Sequence, residues 1–119
     1  MIDSAFETTI DESTIVVIPT RNITSLAEND VKADWDEVLQ SMNEAGVRHV
    51  IFDFEKISYF GSSMLEAMLY LWKQIRPQDG KLAVCNVSKT AKEILRLSKF
   101  DTIWPVCGTR EDAQHEVDK

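Results

Sequence analysis

Apolar and polar positions along this 119-residue chain follow two rhythms, short β-branched runs and longer stretches with an apolar residue every third or fourth position. Thr14-Ile15-Val16-Val17-Ile18 is β-branched throughout and ends at Pro19, which predicts a buried strand. A weaker strand is expected near Phe6–Ile10, joined to it by the polar turn Asp11-Glu12-Ser13. Val31, Trp35, Val38, Leu39 and Met42 then recur at helical spacing, and Gly46 is placed to stop that helix in a left-handed conformation. Val47–Phe54 reads as a central strand, with His49 a strand side chain and not a base. Ser62–Arg76 predicts a second helix, ended by Pro77 and Gly80. Leu82–Cys85 predicts a short buried strand and Ser88–Lys99 a third helix. Thr102–Val106 predicts a last strand, at an edge because of Pro105. Thr109-Arg110-Glu111-Asp112 opens a final helix through a Thr-x-x-Asp cap.

Two strands followed by alternating helices and strands require parallel crossovers. The expected fold is a single α/β domain over residues 1–119, with a mixed, mostly parallel sheet of about five strands, four helices and an antiparallel opening hairpin. A hydrophobic fraction of 44% supports one folded core at this length. Charge adds more. The net charge of −7 argues against nucleic acid or an anionic membrane as a partner. Residues 1–46 hold ten acidic and two basic side chains, whereas residues 47–119 hold ten and eleven. The excess, densest around Asp30, Asp34, Asp36 and Glu37, is either a solvated helix face or a surface that steers a basic partner. No apolar run reaches the ~20 residues that span a bilayer. Met1–Glu7 lacks the basic start and apolar stretch of a secretory signal. A cytoplasmic protein without membrane contact is therefore expected.

Candidate chemistry is sparse. There is no GxGxxG or GxxxxGK[ST] loop, and Gly61-Ser62-Ser63-Met64-Leu65 breaks the Gly-x-Ser-x-Gly pattern at its last position. Cys85 and Cys107 form no CxxC unit, and His49 and His115 have no metal-site spacing. No cofactor is implied, and an enzyme using Cys85 as nucleophile is the weakest reading, because a cysteine at a strand end is usually a small buried hydrophobe. The informative segment runs from Asp53 to Leu65, out of a strand, through a turn, and into the most apolar helix. Ser63 with Glu66 three residues on predicts a capping box. Ser62 is then left at the exposed lip of the helix, where backbone N–H groups favour a negative group such as a phosphate. In the same helix Leu65, Met68, Leu69, Trp72 and Ile75 form one apolar stripe, and Met64, Ala67 and Leu71 form another beside it. The second stripe is either a wider buried face or an exposed edge for docking a partner.

These pieces resemble the STAS domain family of bacterial anti-sigma-factor antagonists over nearly the whole chain. The residues that carry the likeness are Arg48–Phe54 leading into Ser58–Leu65, then Gly80–Ser88, Ile94-Leu95 and Phe100–Trp104. The family motif Asp-Ser-Ser/Thr-Gly-Leu falls with its first serine on Ser62 and its second hydroxyl on Ser63. Its Asp is Gly61 here and its Gly is Met64. The resemblance implies a partner switch, not an enzyme. The unmodified protein would bind an anti-sigma factor that is also a serine kinase and so free a sigma factor. The kinase would phosphorylate Ser62, with Ser63 as the second candidate, and a phosphatase would reset the cycle. ATP and magnesium would belong to the kinase. Gly61, Ser62, Ser63, Met64 and Leu71 are the expected partner-binding residues. The alternative is a phosphorylation-independent STAS adaptor in a signalling complex.

Overall fold

The computed structural model describes residues 4–119. Strands β1 (Phe6–Asp11) and β2 (Thr14–Pro19) pair antiparallel across a tight turn in which Glu12 takes a positive φ of 53°. The chain continues through α1 (Asn29–Ala45), β3 (His49–Asp53), α2 (Ser62–Ile75), β4 (Leu82–Cys85), α3 (Lys89–Leu97), β5 (Val106–Cys107) and α4 (Arg110–Val117). The sheet order is β1-β2-β3-β4-β5, with every pair after the first parallel. Successive strands thus step in one direction, and crossovers of one hand then fall on one side of the sheet. Accordingly α1, α2 and α3 cover one face together, over a core that includes Phe6, Ile15, Val17, Val50, Phe52 and Val84. The short α4 covers the other face, packing Ala113 and Val117 on Val16, Ile18, Ile51, Ala83 and Cys85. The expected fold class is observed.

Two glycines do positional work. Gly46 closes α1 at φ 61°, its N–H bonding back to Asn43. A Cβ on Gly80 would stand 2.1 Å from the Arg48 carbonyl, so only glycine lets the α2–β4 turn approach β3 this closely. His49 is a buried strand residue whose Nδ1 accepts the Lys81 N–H at 3.0 Å. Burial, with Arg48 second, holds its pKa below 6.5.

The expected strand Thr102–Val106 is not formed as such. Phe100–Thr102 is a single 3₁₀ turn, and the N–H groups of Ile103 and Trp104 both bond back to the Phe100 carbonyl. Trp104 stacks on Phe100 at 4.7 Å and enters the core, so packing of two aromatic rings curls a segment whose composition suits a strand. Only Val106 and Cys107 pair with β4, at the sheet edge. Among the described residues, no helix is long and apolar enough to cross a membrane.

Candidate functional site

In a parallel α/β sheet the helices following the strands begin at one end, and ligands and partners meet the loops gathered there. The β3–α2 loop, residues 54–61, lies at that end and is anchored by aromatic packing. Phe54 stacks on Phe52 at 6.0 Å and on Phe60 at 4.6 Å, and both Phe54 and Phe60 are buried. Hydrogen bonds then fix the backbone. The Gly61 N–H donates to Asn22 Oδ1 at 3.0 Å, Ser63 Oγ donates to the Thr24 carbonyl at 2.8 Å, and Ser88 Oγ donates to the Ser58 carbonyl at 2.6 Å. The loop is thereby tied to the β2–α1 loop on one side and to the start of α3 on the other.

This arrangement changes the roles expected of the serines. Helix α2 begins two residues earlier than the capping box requires, with Gly61 as N-cap, Ser62 first and Ser63 second. No side chain caps the helix, and the Ser63–Glu66 box does not form because Ser63 Oγ is engaged by Thr24. Ser62 is exposed, and its hydroxyl has no partner among the described residues. The hydroxyl of Tyr59 stands beside Gly61, 3.9 Å from where a Cβ would be, and the Tyr59 side chain is 57% exposed. Sequence alone gives no signal for a role of Tyr59, because a lone tyrosine in a turn carries no periodicity.

Of the two readings open for the stripe of Met64, Ala67 and Leu71, the wider buried face is the one observed, so Met64 and Leu71 are not exposed as the partner-binding role expected of them requires. Both are fully buried, with Ala67, Met68 and Ile75, against the sheet. Leu65, Leu69 and Trp72 are the half-buried stripe instead. The two stripes are adjacent on the helix, so a small rotation exchanges their roles, and contact with β3 sets the rotation. Met64 therefore points inward and adds no bulk at the outer surface.

Behind the loop sits a buried carboxylate. Asp53, at the end of β3, is fully buried; its Oδ1 accepts from the Glu55 N–H and Asn86 Nδ2, each at 3.0 Å. Its Oδ2 accepts the Arg110 fork, Nε at 2.9 Å and Nη2 at 2.8 Å. Arg110 is the first residue of α4, which Thr109 caps by accepting the Asp112 N–H at 3.0 Å. The pair joins α4 to the loop end of the sheet. Sequence offers no signal for it, since the partners lie 57 positions apart.

Cys85 is fully buried next to Asp53, and burial first, with the Asp53 charge second, pushes its thiol up to about 12. A thiol held protonated in this way is no nucleophile near neutral pH. It does stand directly opposite Cys107 across β4 and β5. Three of the four acidic residues singled out near α1 have partners as well. Asp30 pairs with Arg21 and Asp36 with Lys32, while Asp34 Oδ2 accepts the Ala5 N–H at 2.7 Å.

The sequence profile of the STAS domain matches residues 5–113. BtrV of Bordetella bronchiseptica, named among anti-sigma factor antagonists, is 32% identical over 75 residues, which are 63% of this chain and just under two thirds (65%) of BtrV. A STAS domain protein of Planctomyces limnophilus superposes with a TM-score of 0.75 at 27% identity, covering 96% of this chain and 98% of that one. The Bacillus cell fate determinant SpoIIAA, solved in its phosphorylated form, has the same fold, with a TM-score of 0.66 at 21% identity over 95% and 99% of the two chains.

Proposed function

The chain belongs to the STAS domain family, and from that premise we propose that it is a regulator of the anti-sigma-factor antagonist type, which acts by binding a protein partner and not by catalysis. In this reading the partner is an anti-sigma factor that is also a serine kinase, acting in the cytoplasm. Phosphorylation of Ser62 ends the contact and a phosphatase restores it. The observation that carries the proposal is the state of Ser62. It is exposed and has no hydrogen-bond partner among the described residues, while Gly61 and Ser63 on either side are fixed to the β2–α1 loop. An acceptor presented on a rigid frame is accessible without local unfolding. Ser63, whose hydroxyl is engaged, is the poorer acceptor.

A phosphate on Ser62 would add about −1.5 to −2 charges in the first turn of α2, where the helix dipole favours an anion. The fold should tolerate it. A partner docked there would instead meet new charge and a desolvation penalty, which is what a switch requires. The contact surface proposed is Tyr59, Gly61, Ser62 and the half-buried Leu65, in place of Met64 and Leu71. The relatives support this direction, since BtrV is named among the antagonists and SpoIIAA exists in a phosphorylated form. The alternative adaptor reading draws on Gly61, which leaves the acceptor without the neighbouring carboxylate of the family motif.

The test is phosphosite mapping by mass spectrometry on protein purified from its own cells under several growth and stress conditions, with a Ser62→Ala control. Ser62→Asp is compared in parallel for the partners that copurify. Condition-dependent phosphate on Ser62, with loss of the kinase from Ser62→Asp, is the expected result. No phosphate under any condition, with the same partner held by Ser62→Asp, overturns the switch and leaves the adaptor.

A further inference from the structure

Strand β1 is the outermost of the sheet, and among the described residues no strand pairs with its outer edge. Phe6 lies opposite Pro19 in the β1–β2 ladder, and proline has no N–H to give. One step beyond, the Thr20 N–H donates to the Ala5 carbonyl at 2.9 Å. The phase of the ladder follows. Glu7, Thr9 and Asp11 direct their backbone groups to β2, whereas Phe6, Thr8 and Ile10 direct theirs away from the sheet. The Phe6 carbonyl takes the Ser4 hydroxyl at 2.8 Å and has a second lone pair free. Exposed edges are ordinarily blunted by charged side chains, of which β1 carries Glu7 and Asp11, and by proline, lysine or a bulge. Phe6–Asp11 contains no proline or lysine, and its six successive pairs with β2 run without a bulge.

We propose that this edge pairs with the β1 edge of a second copy of the chain, antiparallel about a two-fold axis at Thr8. Three registers of such an isologous pair engage at least two of the three outward residues of β1. With the axis at Thr8, Phe6 bonds Ile10 of the second copy and Thr8 bonds Thr8. Glu7 then lies opposite Thr9, and Asp11 lies opposite Ala5. Moving the register by two residues one way places Glu7 opposite Glu7. Moving it the other way places Glu7 opposite Asp11. Glu7 pairs with Lys56 of its own chain, and of the three registers only that at Thr8 sets no second carboxylate opposite it. Like charges directly opposite destabilise a ladder, so charge favours the Thr8 register. That register also sets Ile10, 41% exposed, beside Phe6 of the second copy on the helix-covered face. The two five-stranded sheets become one continuous sheet, and both Ser62 sites lie outside the pairing. Since each copy carries −7, association should strengthen as salt screens their repulsion.

The experiment is light scattering and sedimentation on the full chain from micromolar to millimolar concentration, at low and raised sodium chloride, with Thr8→Pro and Thr8→Lys. The Thr8 N–H points away from β2, so proline there removes no bond within the chain. Lysine places two like charges at the axis while keeping the strand. The wild type should rise from 13.6 kDa toward twice that mass with concentration, and more readily in salt. Both variants should stay monomeric with melting temperatures near wild type. If Thr8→Pro proves unfolded, Thr8→Lys alone decides. A wild type that remains monomeric throughout, or a dimer that survives Thr8→Lys, overturns the proposal.

Discussion

Replacing Gly61 with aspartate should stabilise this protein, although it removes a glycine from the tightest loop of the site. Gly61 is the N-cap of α2 with φ −107° and ψ −164°, a conformation open to any residue. A Cβ there meets nothing nearer than the Tyr59 hydroxyl at 3.9 Å, an ordinary contact. The Gly61 N–H bond to Asn22 involves backbone and survives the substitution. Three gains then combine. An aspartate cap exceeds glycine by a few tenths of a kcal/mol, roughly. A carboxylate at a helix N-terminus adds about 0.3–1 kcal/mol at low salt. Removing a glycine from the unfolded chain adds about 0.4–1 kcal/mol. These terms overlap, and a net gain of about 1 kcal/mol is expected, or about 4 °C in Tm for a domain of this size. Thermal melts by circular dichroism, at low and at molar salt, measure it. The dipole share should fade with salt while the rest persists. A Tm lowered by Gly61→Asp at low salt would refute the reasoning, because it would mean that the loop needs something of glycine that φ, ψ and open space do not reveal.

Other substitutions probe the remaining contacts. Arg110→Met leaves the buried Asp53 with only the Asn86 and Glu55 bonds, and chemical denaturation should register a loss of about 3 kcal/mol, largely recovered in the double variant with Asp53→Asn. An equal loss in single and double variants would show that the charge is not the cause. Ser63→Ala removes the bond to the Thr24 carbonyl and should cost about 1 kcal/mol, with α2 intact by circular dichroism. Fraying of the first turn of α2 would instead restore a capping role for Ser63. Because burial lowers the pKa of His49, the unfolded chain takes up its proton at higher pH than the fold does. Stability should therefore fall as pH drops from 7 through 6.5 and below. His49→Gln should flatten denaturation midpoints across that window, and an unchanged slope would sink the assignment.

How far the sequence reaches can be seen element by element. β2, β4 and the buried positions of α1 were legible because an apolar run or a three-and-four spacing has one satisfactory partner, the core. Gly46 and the Thr109 cap were legible because backbone geometry at a helix end is set locally, by one or two residues. Helix α2 was legible as a helix but not in its orientation. Its apolar arc is wide enough that Met64 and Leu65 are equally good candidates for the sheet, and only the packed layer against β3 puts Met64 inside. The last strand failed for a related reason. Ile103, Trp104 and Val106 have strand composition, but the stacking of Trp104 on Phe100 outweighs local preference.

At the site, the sequence by itself located the β3–α2 segment and the exposed Ser62. It could not supply the frame around them. Asn22, Thr24, Ser88 and Arg110 come from other loops and from the last helix, and their hydrogen bonds exist only once β2, β3 and β4 lie side by side. The same holds for the facing cysteines and for the outward phase of β1, which depends on where Pro19 falls in the register. Periodicity encodes which side of an element seeks the core. Which residues of distant segments then meet is decided by the register and rotation of packed elements, because those are fixed by contacts that no single stretch of chain contains.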